Sequence, residues 1–132
     1  MSRELMPLDL VGAVVVAAVL IALASLLQEP VRRRFMAIFV AGAGAAYLNG
    51  GLGPWEFVYT SVATVCAYKG LRSYRYIALA WAMHVFWDVM HHLYGQPIIQ
   101  AVPTSSAGCA VCDSLLAVRF YFGAPSPFRL RN

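Results

Sequence analysis

Charge is what this sequence has least of. Asp, Glu, Lys and Arg make up 12% of the 132 residues, about half the quarter usual in a soluble domain. A soluble chain this small has a large surface and too few charged side chains here to cover it. Three cysteines are too few for a disulfide-rich secreted scaffold. No internal repeat and no phosphate-loop pattern is present. There is no basic stripe with interleaved aromatics, so the net charge of +4 does not point to nucleic acid. What fills the sequence instead is apolar: 61% of residues, against about 45–50% in a soluble domain. That content also excludes a disordered tail. The length gives room for one domain. The expected fold is all-α, a polytopic transmembrane helical bundle in the cell membrane.

About 20 apolar residues carry a helix across a hydrocarbon core about 30 Å thick. Leu10 to Leu27 runs without a charge, stopped by Gln28-Glu29-Pro30 and followed by Arg32-Arg33-Arg34. Phe35 to Gly51 forms a second run, with Pro54 suited to the first turn of a third helix. That helix reaches Lys69-Gly70, and a fourth runs from Tyr74 to Tyr94. Ile98 to Gly108 reads as a loop punctuated by Pro103, Ser105 and Ser106, and a fifth helix starts near Cys109. The expected spans are 9–28, 35–51, 54–69, 74–95 and 109–123, with a re-entrant segment as the alternative for the last. In the second span, Gly42 and Ala46 stand four apart, the usual small-residue packing device of membrane helices.

Basic residues set the orientation, because cytoplasmic loops collect them. With five crossings, Arg32, Arg33, Arg34, Lys69, Arg72, Arg75, Arg129 and Arg131 share one side and Arg3 is left on the other. The N-terminus is therefore expected outside and the C-terminus in the cytoplasm. Ala22-Leu23-Ala24 resembles a signal cleavage site, but Glu4 and Asp9 offset the positive n-region and the arginines follow the apolar stretch. The first segment is expected to stay as an anchor.

This orientation gathers Glu56, His84, Asp88, His91, His92, Cys109, Cys112 and Asp113 toward the extracytoplasmic half. At about 100° per residue, Trp81, His84, Asp88, His91 and His92 fall on one helical stripe about 100° wide. A charge at mid-bilayer costs a few kcal/mol, so such a stripe faces protein or a water-filled cavity. Asp88 with His91 or His92 has the spacing to share a metal ion. Cys109-Ala110-Val111-Cys112-Asp113 supports three readings: half a zinc site, a redox dithiol at a helix start, or a disulfide. Bland readings stand beside these. His84 alone reads as a buried histidine bonded to backbone, His91 and His92 as headgroup-layer rings, and Asp88 as the ion-pair partner of Arg119. Cys66 reads as a small buried hydrophobe. Tyr47, Trp55, Tyr59, Trp87 and Tyr94 read first as interfacial belt and core packing.

The run His84 to Asp113, with its HxxxDxxHH…CxxCD pattern, resembles an uncharacterised, domain-of-unknown-function family of small bacterial integral membrane proteins. That resemblance implies a recurring membrane unit and no activity. The ceramidase-like membrane hydrolases use a similar inventory of ligand types around zinc, but their histidines lie on distant helices. The quinone-linked disulfide-forming reductases carry a CxxC at the outer end of a helix, but also a second cysteine pair that this chain lacks.

Two classes follow. In the first, a divalent metal, zinc by preference, is held by Asp88, His91, His92, Cys109, Cys112 and Asp113, with Glu56 or His84 as general base. It performs hydrolytic or related chemistry on an apolar substrate. In the second, Cys109 and Cys112 are the working pair of a thiol–disulfide oxidoreductase. A non-catalytic subunit or metal carrier of a membrane complex is a third class. Membrane lipid is the expected surrounding, with a homo-oligomer or larger complex as the expected partner state and no nucleic acid.

Overall fold

A computed structural model describes residues 4–128. Arg3, Arg129 and Arg131, used in the orientation argument, lie outside the described residues. The architecture is all-α: α1 (Pro7–Ser25), α2 (Val31–Ala45), α3 (Trp55–Gly70), α4 (Tyr74–Tyr94) and α5 (Ser105–Tyr121), with no strand among the described residues.

Local chemistry starts each helix. Pro7 opens α1, where a missing N–H costs nothing, and Asp9 accepts the Met6 N–H at 2.8 Å. Glu56, in the first turn of α3, reaches back to accept the Leu52 N–H at 2.9 Å. Two boundaries differ from those read off the apolar runs. The α2 helix spans 31–45 rather than 35–51, so Arg32, Arg33 and Arg34 lie in its first turn. Residues 46–54 form turns instead, with Gly51 and Gly53 at φ of 93° and 62°, a region closed to most side chains. The α5 helix begins at Ser105 instead of 109. The hydroxyls of Ser105 and Ser106 each accept a loop N–H at 3.0 Å, from Ile99 and Ile98, and so tie the loop to the first helical turn.

The central element is α4. It packs on α2, α3 and most extensively α5, while α1 closes on α5. Small side chains make these approaches possible: Ala13 and Ala17 on α1, Ala37 on α2, Ala63 and Ala67 on α3, Ala78 and Ala80 on α4. Within α2 the glycine that meets a neighbour is Gly44, where a Cβ would sit 3.4 Å from that of Ala63. Gly42 faces open space. The small-residue contact therefore lies on nearly the opposite face of α2 from the one the Gly42–Ala46 spacing suggested.

The two ends are chemically different. At one, the Arg33 Nε–H donates to Leu71 O at 3.2 Å, Tyr74 bonds Glu29, and the Arg33 guanidinium lies 5.9 Å above the Tyr74 ring. This clip joins the turn before α2 to the turn before α4. At the other end, the Gln96 N–H donates to Gly50 O at 2.7 Å and Thr104 bonds Asp9 at 3.3 Å. The basic turns thus share one end, as expected for an alternating up-and-down chain.

Polarity is partly inverted relative to a water-soluble domain, with large apolar side chains outside and several ionisable groups beside the apolar core. Leu23, Ile38, Phe57, Val65, Phe86, Leu93 and Val118 are exposed, while Glu56, His84, Asp88, His91, Ser106 and Asp113 are buried. One described helix, α1, is long and apolar enough to cross a membrane by length and composition. The α2, α3 and α5 helices have 15, 16 and 17 residues, about 22–26 Å at 1.5 Å per residue.

Candidate functional site

Apart from Ser25, the buried polar residues form two adjoining units in the half away from the arginine clip. His84 is the pivot of the first. Its Nδ1 lies 2.6 Å from Asp113 Oδ2 on α5 and 3.2 Å from Asp88 Oδ2 one turn along α4. With two carboxylates facing it, Nδ1 carries the ring proton. The other oxygen of Asp88 is 2.7 Å from the Tyr47 hydroxyl, which is also 2.7 Å from Ser106 Oγ. Tyr47 has one proton and the carboxylate only accepts, so Tyr47 donates to Asp88 and Ser106 donates to Tyr47. Ser106 in turn accepts the Ile98 N–H. The relay from Ile98 through Ser106 and Tyr47 to Asp88 and His84 is complete at every atom on that side.

A second unit leans on the first. The His91 Nδ1–H donates to Trp87 O at 3.0 Å, and Nε2 lies 3.5 Å from Glu56 Oε1. The His91 ring stacks on Tyr47 with centroids 3.9 Å apart and planes 23° apart. Close backbone secures it from both sides. A Cβ on Gly50 would come within 2.5 Å of His91 Nε2, and one on Gly95 within 2.8 Å of its Cδ2. His91 therefore positions the Tyr47 ring that reaches Asp88.

The far face of His84 is different. Its Nε2 is buried and has no hydrogen-bond partner, and neither do Tyr59 Oη, Trp81 Nε1 or Trp87 Nε1. The Tyr59 and Trp81 rings flank His84 at 6.2 and 5.9 Å, and Tyr59 stacks flat on Trp87 at 4.6 Å and 8°. Buried orphans of this kind are rare in native structures.

Of the residues singled out by sequence, the structure brings His84, Asp88 and Asp113 together, with one ligand atom from each lying within 4.8 Å of the others. Glu56 and His91 pair with each other and reach that group through Tyr47. His92 lies on the half-buried flank of α4. Cys109 and Cys112 are free thiols. They line a groove of about 310 Å³ between α5 and α1, shared with Gly12, Ala13 and Val16. Arg119 bonds Pro125 O and makes no pair with Asp88. Cys66 is buried against Met83, as a small hydrophobe would be. Tyr47 and Ser106 are site residues that sequence reasoning passed over. No spacing rule relates them to α4, since Tyr47 sits 41 residues from Asp88 and Ser106 sits 59 from Tyr47.

The chain belongs to a family of unknown function (DUF6010), which it matches over residues 8–126, a stretch that contains every residue of the site. No match was found among curated proteins. None was found among solved structures.

Proposed function

We propose that this member of the family is a five-span protein of the cell membrane, N-terminus outside, in which His84, Asp88 and Asp113 hold a divalent metal for hydrolytic chemistry on an apolar substrate. The observation that carries the reading is the pair of carboxylates closed around one imidazole in a dry interior. Asp88 and Asp113 are 0% and 5% exposed, and no Lys or Arg is paired with either among the described residues. Even a charged His84 balances one of the two. Buried carboxylates without a matching cation are costly, and metal coordination is one of the standard remedies.

The donor set suits zinc, which takes imidazole nitrogen and carboxylate oxygen at about 2.0–2.2 Å. Tetrahedral ligands at that bond length stand about 3.3 Å apart. The His84 Nδ1–Asp88 separation of 3.2 Å already fits once an ion displaces the Nδ1 proton to solvent, and Asp113, at 2.6 Å, has to draw back by several tenths of an ångström. Three protein ligands leave a fourth position open, as in catalytic rather than structural sites. A divalent ion held by these three residues would supply an activated water as nucleophile at neutral pH. Tyr47, braced by His91 and Ser106, fixes the angle at which Asp88 meets the ion, the usual role of an outer hydrogen bond. The partly inverted polarity supports the membrane setting. The basic turns at one end support the orientation.

Elemental analysis of the full chain purified without chelator tests the proposal. About one equivalent of transition metal is expected, lost in His84→Ala and Asp113→Asn and retained in Cys109→Ser and Cys112→Ser. Less than about a tenth of an equivalent refutes the metal reading. In that case the 2.6 Å Asp113–His84 bond favours a metal-free acid–base dyad, with Nε2 as the working base.

A further inference from the structure

We propose that the cleft between α3 and α4 is the substrate channel of this site and takes a single-chain lipid with a carbonyl-bearing head, such as a monoacyl ester. This rests on the hydrolytic reading above and names its substrate class and route. The cleft is an open groove of about 450 Å³ whose surface is almost wholly apolar. Val62, Ala82, Met83 and Phe86 line its walls, and Tyr59 and Trp87 form its floor. It opens sideways, where a membrane protein meets acyl chains rather than water.

The floor distinguishes this cleft from other apolar faces of the bundle. Tyr59 and Trp87 are each 93% buried, and their O–H and N–H have no acceptor. Behind them the Tyr59 ring meets His84 edge-on, and the Nε2 of that imidazole is unpartnered as well. Two donors lacking an acceptor lie between a greasy cleft and the candidate centre. A carbonyl oxygen supplies two acceptor lone pairs and no donor, so an ester head satisfies both donors while its tail fills the cleft. The flat Tyr59–Trp87 stack closes the passage, and the head must part the rings to reach His84.

The test is photo-crosslinking of the full chain in lipid nanodiscs, with a diazirine-bearing monopalmitoyl ester as probe and labelled peptides mapped by mass spectrometry. Label is expected on the α3 and α4 segments around Val62 and Phe86, with at least fivefold less in Val62→Phe, which fills the cleft from an exposed position. Val118→Phe, on the α4–α5 side, is expected to leave the label unchanged. Monopalmitoylglycerol is expected to compete severalfold less well in Tyr59→Phe, while hexadecane competes equally in both. Label spread evenly over α1 and α5, or equal loss in Val62→Phe and Val118→Phe, overturns the channel. Undiminished ester competition in Tyr59→Phe overturns the head-group contact. Metal content is measured on the same samples. Localised label on metal-free protein refutes the metal reading alone, and diffuse label on metal-loaded protein refutes the channel alone.

Discussion

Tyr47 and Tyr59 offer a controlled contrast, because both are buried, at 2% and 7% exposure, and differ mainly in what their hydroxyls meet. Tyr47→Phe removes a bond to a carboxylate and a bond from a serine hydroxyl, both 2.7 Å long. A hydrogen bond to a charged group contributes about 1.5–3 kcal/mol and a neutral one about 0.5–1.5. The loss is therefore about 2–4 kcal/mol, and about 1 kcal/mol if both bonds match the lower average seen between membrane helices. Tyr59→Phe removes a hydroxyl with no partner, so stability is expected to hold or rise slightly. The readout is thermal unfolding of the full chain in a mild detergent. For a chain of this size about 1 kcal/mol shifts the midpoint by roughly 3–5 °C, so Tyr47→Phe should unfold about 3–20 °C early. If Tyr59→Phe proves the more damaging of the two, the assignment of the relay through Tyr47 is wrong.

Gly50→Ala is expected to lose about 1–3 kcal/mol, since its Cβ would meet the His91 ring at 2.5 Å. Gly42→Ala, with nothing within 4 Å, should be neutral or stabilising by up to about 1 kcal/mol, and the same unfolding assay compares them. Cys109 and Cys112 should both alkylate in denatured, unreduced protein, and two unmodified cysteines there would contradict the free thiols. A fluorescent protein fused to the C-terminus should glow in cells while phosphatase fused to the N-terminus is active outside, and the reverse pattern would overturn the orientation. Ser106→Ala should lower metal content less than Asp113→Asn does, because it loosens Tyr47 without removing a ligand; equal losses measured by elemental analysis would argue against that division of labour.

The helices were legible because each is an apolar run closed by Gly, Pro or charge. The stripe of α4 was legible because 84, 88 and 91 recur at helical spacing, and all three are buried. What spacing could not reveal is which nitrogen faces which neighbour. Asp88 with His91 has the separation of a shared metal pair, yet the His91 Nδ1 is committed to Trp87 O and its other nitrogen to Glu56. Ser106 read as loop punctuation, since it stands in the Pro103–Gly108 run of proline, hydroxyl residues and glycine that ordinarily breaks a pattern. Its hydroxyl instead joins the loop at Ile98 to the first turn of α5. Tyr47 and Tyr59 read as belt residues because aromatics at helix ends usually are, and only the packing of α2 and α3 on α4 gives them distinct partners.

The last helix supplies the residues that complete the interior. Asp113 and Ser106 both belong to α5, so until that helix arrives His84 and Tyr47 have Asp88 alone to answer them. Until the closing segment docks, the half-made bundle carries unanswered polar groups, the kind of exposure by which quality-control machinery tells an unfinished chain from a finished one. Assembly of the centre therefore waits on the docking of α5.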